Sequence, residues 1–321
     1  MAAHAVLDER VGDLDGIALV SHDHDLRVAF APAAGMIGYS LIHRGEELLG
    51  QRGGLAAYRE HGSSFGIPLL HPWANRLSGT SYSADGRAVE LDPGRSPIHF
   101  DPNGLPIHGT LAACPHWEIV GRSPGNGSAA VAARLDYGAH EELMAAFPYP
   151  HELHVQAELV GDMLTVATIL LPTAAVAVPV SFGWHPYLRL PDVPRSDWRV
   201  ELPVRRRALL DERGLPTGET EPVEIEPGPL GERTYDDHFV GLAKPTVFAL
   251  VGGGRRIELA MGQNYPFAQV YAPWGVEQEA YVCFEPMTAP VNALVSGESL
   301  TFVAPGGSLR AEFSVRVQAV A

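Results

Sequence analysis

Several polar residues in this sequence sit where apolar runs end. His185 lies in SFGWHPYLRLP after the run VATILLPTAAVAVPV; His108 lies in LPIHGTL; Asn75 and Arg76 lie in GIPLLHPWANRLSG; Asp236 and Asp237 lie in YDDHF; Glu285 lies in CFEPMTAPVNAL. An imidazole and a carboxylate can together move protons between oxygens, because each has a pKa that its surroundings tune. Glu285 follows the apolar stretch Tyr281 to Phe284 and precedes Pro286, which is expected to end regular strand pairing there. A carboxylate so placed is expected to be partly buried, which raises its pKa and suits it to act as a base; an ion pair with Arg76 would act in the opposite direction.

Taken singly, each residue also has a structural reading. His185 could be a packed core histidine and Arg76 a surface cation. Asn75 could support a turn, His108 could be an exposed loop histidine, and the Asp236–Asp237 pair could cap a turn.

The elements that must position these residues are strands. ELHVQAELVGDMLTVATIL alternates through Leu153, Val155, Ala157 and Leu159, turns at Gly161-Asp162 and resumes, a hairpin pattern. The C-terminal SLTFVAPGGSLRAEFSVRVQAV alternates through Leu309, Ala311, Phe313, Val315 and Val317. A helical pattern stands out only over HEELMAAF, His140 to Phe147. Gly252-Gly253-Gly254 precedes another alternating stretch and reads as a hairpin turn, and neither a dinucleotide GxGxxG fingerprint nor a P-loop occurs. With 34 glycines and 27 prolines among 321 residues, many turns and few long helices are expected. No repeat or composition shift divides the chain, so the expected fold is all-β: one large antiparallel sandwich over residues 1–321, with residues 1–25 a poorly defined N-terminal extension.

Bulk composition excludes several functions. The formal charge of −15 repels polyanions, and no basic stripe offsets it; Arg205-Arg206-Arg207 sits in an alternating segment and reads as a solvated strand face, so no nucleic acid partner is expected. Two cysteines, Cys114 and Cys283, exclude a disulfide framework and lack the spacing of a structural zinc site. The acidic start has no apolar targeting core, and no run of about 20 apolar residues could cross a bilayer, which points to a cytoplasmic protein without a membrane partner.

In their order, from about Gly66 to Leu294, these segments resemble the aldose 1-epimerase family, or galactose mutarotases. The resemblance implies a large β-sandwich of the galactose mutarotase type (a supersandwich) with few short helices. It implies an isomerase that interconverts the α and β anomers of an aldohexose or related aldose, with a small sugar as its partner and no metal or cofactor. It assigns Glu285 as the base, His185 as an imidazolium acid at the ring oxygen and His108 as its helper. Arg76, Asn75, Asp236 and Gln269, the last in AQVYAPWG, would hold the sugar. Trp184 and Tyr187 could offer it apolar faces. His71, Pro72 and Trp73 stand where galactose-active members usually carry a glycine-containing segment, which predicts a differently shaped pocket near Arg76; His71 and Trp73 could touch substrate there, with core packing the expected role of Trp73.

Three alternatives remain open to the sequence. A mutarotase for a phosphorylated or sulfonated hexose would need a further cation in the cleft, for which Arg52, Arg95 and Arg189 are candidates. A non-catalytic carbohydrate-binding protein would have no use for a matched acid and base. A glycoside hydrolase would need two carboxylates, for example Asp236 and Glu285, and would leave both histidines idle. The oligomeric state is not legible.

Overall fold

The alternation over residues 151–172 becomes the antiparallel strands His151–Val160 and Met163–Pro172, which turn at Gly161 with a left-handed φ of 58°. Leu153, Val155, Ala157 and Leu159 are fully buried while Gln156 and Glu158 face outward, so the period-two pattern fixes which face joins the core. The C-terminal strand Leu309–Ala319 lies between Met163–Pro172 and Arg255–Met261. The glycine run joins Thr246–Gly252 to Arg255–Met261 as a hairpin turn, with Gly253 and Gly254 at φ 57° and 71°. This computed structural model describes residues 3–125, 127–275 and 279–320.

These strands belong to a nine-stranded sheet that faces an eight-stranded one containing Tyr235–Val240, Phe267–Ala272 and Val282–Met287. Side chains from both fill the space between: Phe248 meets Phe284 at 5.4 Å and Phe313 meets Trp184 at 5.6 Å between ring centroids. The expected all-β sandwich is therefore the observed architecture. Its described helices are short: Gly54–His61, Glu141–Ala146 and Ala293–Ser296. The second of these is the helical pattern read at His140 to Phe147.

The N-terminal extension differs from expectation. His4–Val11 and Leu14–Ser21 are strands of a five-stranded sheet, and Ile17, Ala18 and Leu19 are buried. In the first strand the charged residues Asp8, Glu9 and Arg10 are consecutive, Leu7 is exposed and Glu9 is half-buried against Arg27, so no apolar–polar alternation marks it in the sequence. Arg206 is exposed as expected of a solvated face, but Arg207 is held by Glu221 and by Asp237, the latter at 2.6 Å. Cys114 and Cys283 are buried and unbridged. Among the described residues no helix is long and apolar enough to cross a membrane.

Candidate active site

Strand Val282–Met287 sends Phe284 into the core, so Glu285 must emerge on the opposite face of the eight-stranded sheet. Register does the rest. Gln269 pairs directly with Glu285, His238 pairs with Gln269, and Asp236 lies two residues before His238 on the same face. Gln269 Nε2 donates to Asp236 Oδ1 at 2.6 Å. Asp236 and Asp237 therefore lie in a strand and do not cap a turn. Pro286 does not end the pairing either: it sits opposite Ala268, and the pairs Gln269–Glu285 and Phe267–Met287 on either side keep the ladder in register.

The facing wall comes from two interlocked loops. Asn75 and His108 both adopt left-handed backbone, at φ 60° and 64°. His108 N–H donates to the Asn75 carbonyl at 3.0 Å, and Asn75 N–H donates to His108 Nδ1 at 3.3 Å. With Nδ1 accepting, the proton of neutral His108 resides on Nε2. Gly109 is required beside it, because a Cβ there would lie 2.1 Å from the His71 carbonyl oxygen. Asn75 Oδ1 accepts from the Arg76 backbone N–H at 2.8 Å, and Arg76 Nε donates to Asp101 Oδ2 at 2.8 Å. Arg76 is thus paired with Asp101 rather than Glu285.

His185 closes the space between the walls. Its backbone N–H donates to the Pro68 carbonyl at 3.1 Å, and its ring stacks on Tyr187 with centroids 4.4 Å apart. It meets His108 edge-on at 5.2 Å, and its Nε2 lies 3.2 Å from Glu285 Oε1. Glu285 and His185 are only 1% and 5% exposed.

That burial decides the electrostatics. Loss of water pushes the Glu285 carboxyl well above its usual range; the Asp236 charge adds to the rise and Arg76 opposes it. Burial pushes His185 well below its ordinary value, helped by His108, and pushes His108 down to about 3, helped by Arg76. The imidazoles are therefore held neutral in the resting site, whereas the resemblance implies an imidazolium at His185. Asp101 would rise by burial, but Arg76 and the backbone N–H groups of Leu105 and Asn103 hold it below the usual carboxylate range. Glu285 Oε2 and Gln269 Oε1 have no hydrogen-bond partner among the described residues, as expected of a site built for further polar contacts.

The structure thus brings together Glu285, His185, His108, Asn75, Arg76, Asp236 and Gln269. It does not bring His71 and Trp73 to this cleft: both are buried, and His71 Nε2 lies 2.9 Å from His151 Nε2. Trp184 is also a core residue, its indole N–H donating to Thr168 Oγ1 at 3.0 Å, and Tyr187 backs His185 rather than presenting an open face. Asp101 is the member that sequence reasoning misses; its only signal is the turn Asp101-Pro102-Asn103-Gly104, in which Oδ1 accepts from the N–H groups of Asn103 and Leu105.

The two large antiparallel sheets packed face to face form a sandwich of the galactose mutarotase-like fold. The model of the aldose 1-epimerase family matches residues 35–316, and the chain belongs to this family. It is 24% identical over 260 residues to the uncharacterized protein YihR of Escherichia coli K12, covering 78% of this chain and 80% of that protein. It is 27% identical over 263 residues to the uncharacterized protein YphB of the same organism, covering 78% and 83%. Among solved structures, a galactose mutarotase-like protein from Clostridium acetobutylicum superposes with a TM-score of 0.82 over 99% of both chains at 17% identity.

Proposed function

We propose that the protein interconverts the α and β anomers of a neutral aldose, with Glu285 and His185 acting as one proton-transferring unit. The observation that carries this reading is the 3.2 Å contact between His185 Nε2 and Glu285 Oε1, in a site that pushes the carboxyl up and the imidazole down. Such a pair retains one proton between its members over a wide pH range, and its titrations belong to the pair. In its resting form the carboxyl is protonated and the imidazole neutral. Shifting that proton across the contact gives carboxylate and imidazolium.

In that second form, Glu285 takes the proton of the C1 hydroxyl while His185 delivers one to the ring oxygen. The C1–O5 bond breaks, its electron pair goes to O5, and the C1 oxygen becomes an aldehyde carbonyl. The pair is then back in its resting form. After rotation about C1–C2, the C5 hydroxyl attacks the other face of the aldehyde, His185 takes that hydroxyl's proton, and Glu285 returns its own to the C1 oxygen. Protons and electrons balance without a redox partner, so the step calls for no metal or cofactor. His108, with its proton on Nε2, donates to the ring oxygen or a neighbouring hydroxyl; Arg76, Asn75, Asp236 and Gln269 orient the sugar.

One observation favours a second reading, acceptance of an anionic aldose. Of the three candidate cations, Arg189 is paired with Glu279, and Arg95 lines a different cavity. The Arg52 guanidinium lies over the rings of Tyr187 and Tyr281, at 5.7 and 5.9 Å, near enough for its charge to act on His185; it donates to the Ser64 carbonyl at 2.8 Å and forms no ion pair with a carboxylate among the described residues. Polarimetry of freshly dissolved α-anomers of glucose, galactose, arabinose, xylose and glucose 6-phosphate tests both. Acceleration of a neutral sugar supports the first reading. Preference for the phosphate, lost in Arg52→Gln, supports the second, and exchange no faster than the spontaneous rate for every sugar contradicts both.

A further inference from the structure

The sequence predicts no metal-ligand set, yet the fold assembles one away from the residues described above. We infer that His116, His140 and Glu142 form a binding site for a borderline divalent transition metal of the zinc class. One ligand atom from each lies within 4.8 Å of the others. His116 Nε2 is 2.9 Å from Glu142 Oε1, and the two imidazoles stack at 3.8 Å with only 13° between their planes.

The donor chemistry selects the ion. Two imidazole nitrogens and one carboxylate oxygen suit zinc, nickel or copper; calcium and magnesium prefer oxygen-only sets. Bonds of about 2.0–2.2 Å in tetrahedral geometry put donors about 3.4 Å apart, so the widest separation must close by up to about 1.4 Å while the His116–Glu142 pair, now at 2.9 Å, opens by about 0.5 Å. The stacked rings must also turn so that their lone pairs converge. Two imidazolium rings would repel at this distance, whereas a shared cation replaces the proton between His116 and Glu142 and gives His140, whose ring nitrogens make no hydrogen bond among the described residues, a partner.

The ligands stand on fixed backbone. His140 is the N-cap residue of helix Glu141–Ala146, and Glu142 lies in its first turn. The Glu142 carbonyl accepts from Ser96 Oγ at 2.7 Å, and the next carbonyl, Leu143, accepts from Tyr137 Oη at 3.1 Å. His116 follows Cys114, whose carbonyl accepts from Gly35 N–H at 2.7 Å. His116 and Glu142 line a cavity of about 480 Å³ beside Arg59, Arg95 and Cys114, from which a solvent molecule can supply the fourth ligand. The ion would tie the helix to the loop 108–116, which begins at His108.

Zinc titration of the chelator-treated, full-length protein by calorimetry tests the site. The expected result is one equivalent bound with Kd in about the low micromolar range or tighter, weakened about tenfold or more in His116→Ala and in His140→Ala, with a zinc-dependent rise in thermal midpoint that both variants lose. Unchanged affinity in the two variants, or no saturable binding below about 100 µM, overturns the proposal. Cobalt titration of the wild-type chain reads the same site without relying on any variant. Intense visible bands of a four-coordinate site are expected, and the weak spectrum of aqueous cobalt contradicts it.

Discussion

Two pairs of buried groups in this protein each place an imidazole nitrogen about 3 Å from its partner, and only one suits catalysis. His185 meets Glu285 at 3.2 Å, and His71 meets His151 at 2.9 Å. In the second pair His151 Nδ1 donates to the Tyr149 carbonyl at 2.6 Å, so its Nε2 accepts and His71 Nε2 must donate. Every proton is assigned and the rings of Tyr137, Phe147 and Phe182 surround the pair. Burial pushes both of these imidazoles down, His151 to about 4. Two like groups shifted in one direction stay neutral and exchange nothing. In the first pair, a carboxyl pushed up meets an imidazole pushed down, so one proton has two places to rest. What separates machinery from scaffold is the partner, not the burial of histidine.

The largest effect that sharpens this contrast is Glu285→Gln. It should lower mutarotation turnover by about 10²–10⁴-fold while sugar affinity changes little, because only the transition state needs the proton moved. Polarimetric kcat and calorimetric Kd on one preparation check it; a stable, fully active variant breaks the comparison. His185→Asn should follow, with exchange slowed about 100-fold or more in a protein that still melts cooperatively. Asp101→Asn, which weakens the orientation of Arg76, should raise KM by up to about tenfold with kcat nearly kept, as expected from one weakened charged hydrogen bond.

The smallest effect on rate belongs to the structural pair. His151→Asn should leave kcat unchanged and cost about 1–3 kcal/mol of stability by stranding the His71 donor, measured by chemical denaturation. The pair also predicts acid sensitivity. Unfolded imidazoles take up protons below about 6.5, whereas folded His151 does so only near 4, so the unfolded chain binds more protons between these values and the thermal midpoint should fall as pH drops through that window. A midpoint flat from pH 7 to 4 would contradict the neutral burial of these rings.

Much of this was legible from residue types. The strand Leu309–Ala319 and the hairpin 151–172 follow from alternation, whereas the cleft residues are implied by the resemblance of several short segments to the aldose 1-epimerase family. The first strand, His4–Val11, was not legible, because Asp8, Glu9 and Arg10 follow one another and Leu7 is exposed, so its residues do not alternate between apolar and polar. His71 looked like a candidate because its segment departs from relatives, yet its partner His151 is distant in sequence and only the fold joins them. Asp101 read as a turn former, which it is; that its second oxygen holds Arg76 depends on how two loops meet. Pro286 carries the sequence signal of a strand end, but the pairs Gln269–Glu285 and Phe267–Met287 on either side of it hold the register, and that pairing exists only in the assembled sheet.

The central claim, that Glu285 and His185 hold one proton between them, is tested most directly by the pH profile of kcat/KM for wild-type mutarotation. With the carboxyl raised and the imidazole lowered, the pair keeps its proton across neutrality. The account therefore predicts a broad plateau through pH 7 that extends well below 6.5, with activity falling on the alkaline side as the pair loses its proton. If the two groups titrated independently at ordinary values, the active carboxylate–imidazolium form would peak between about 4.3 and 6.5. A bell confined to that interval, with activity already falling by pH 7, would contradict the shared proton.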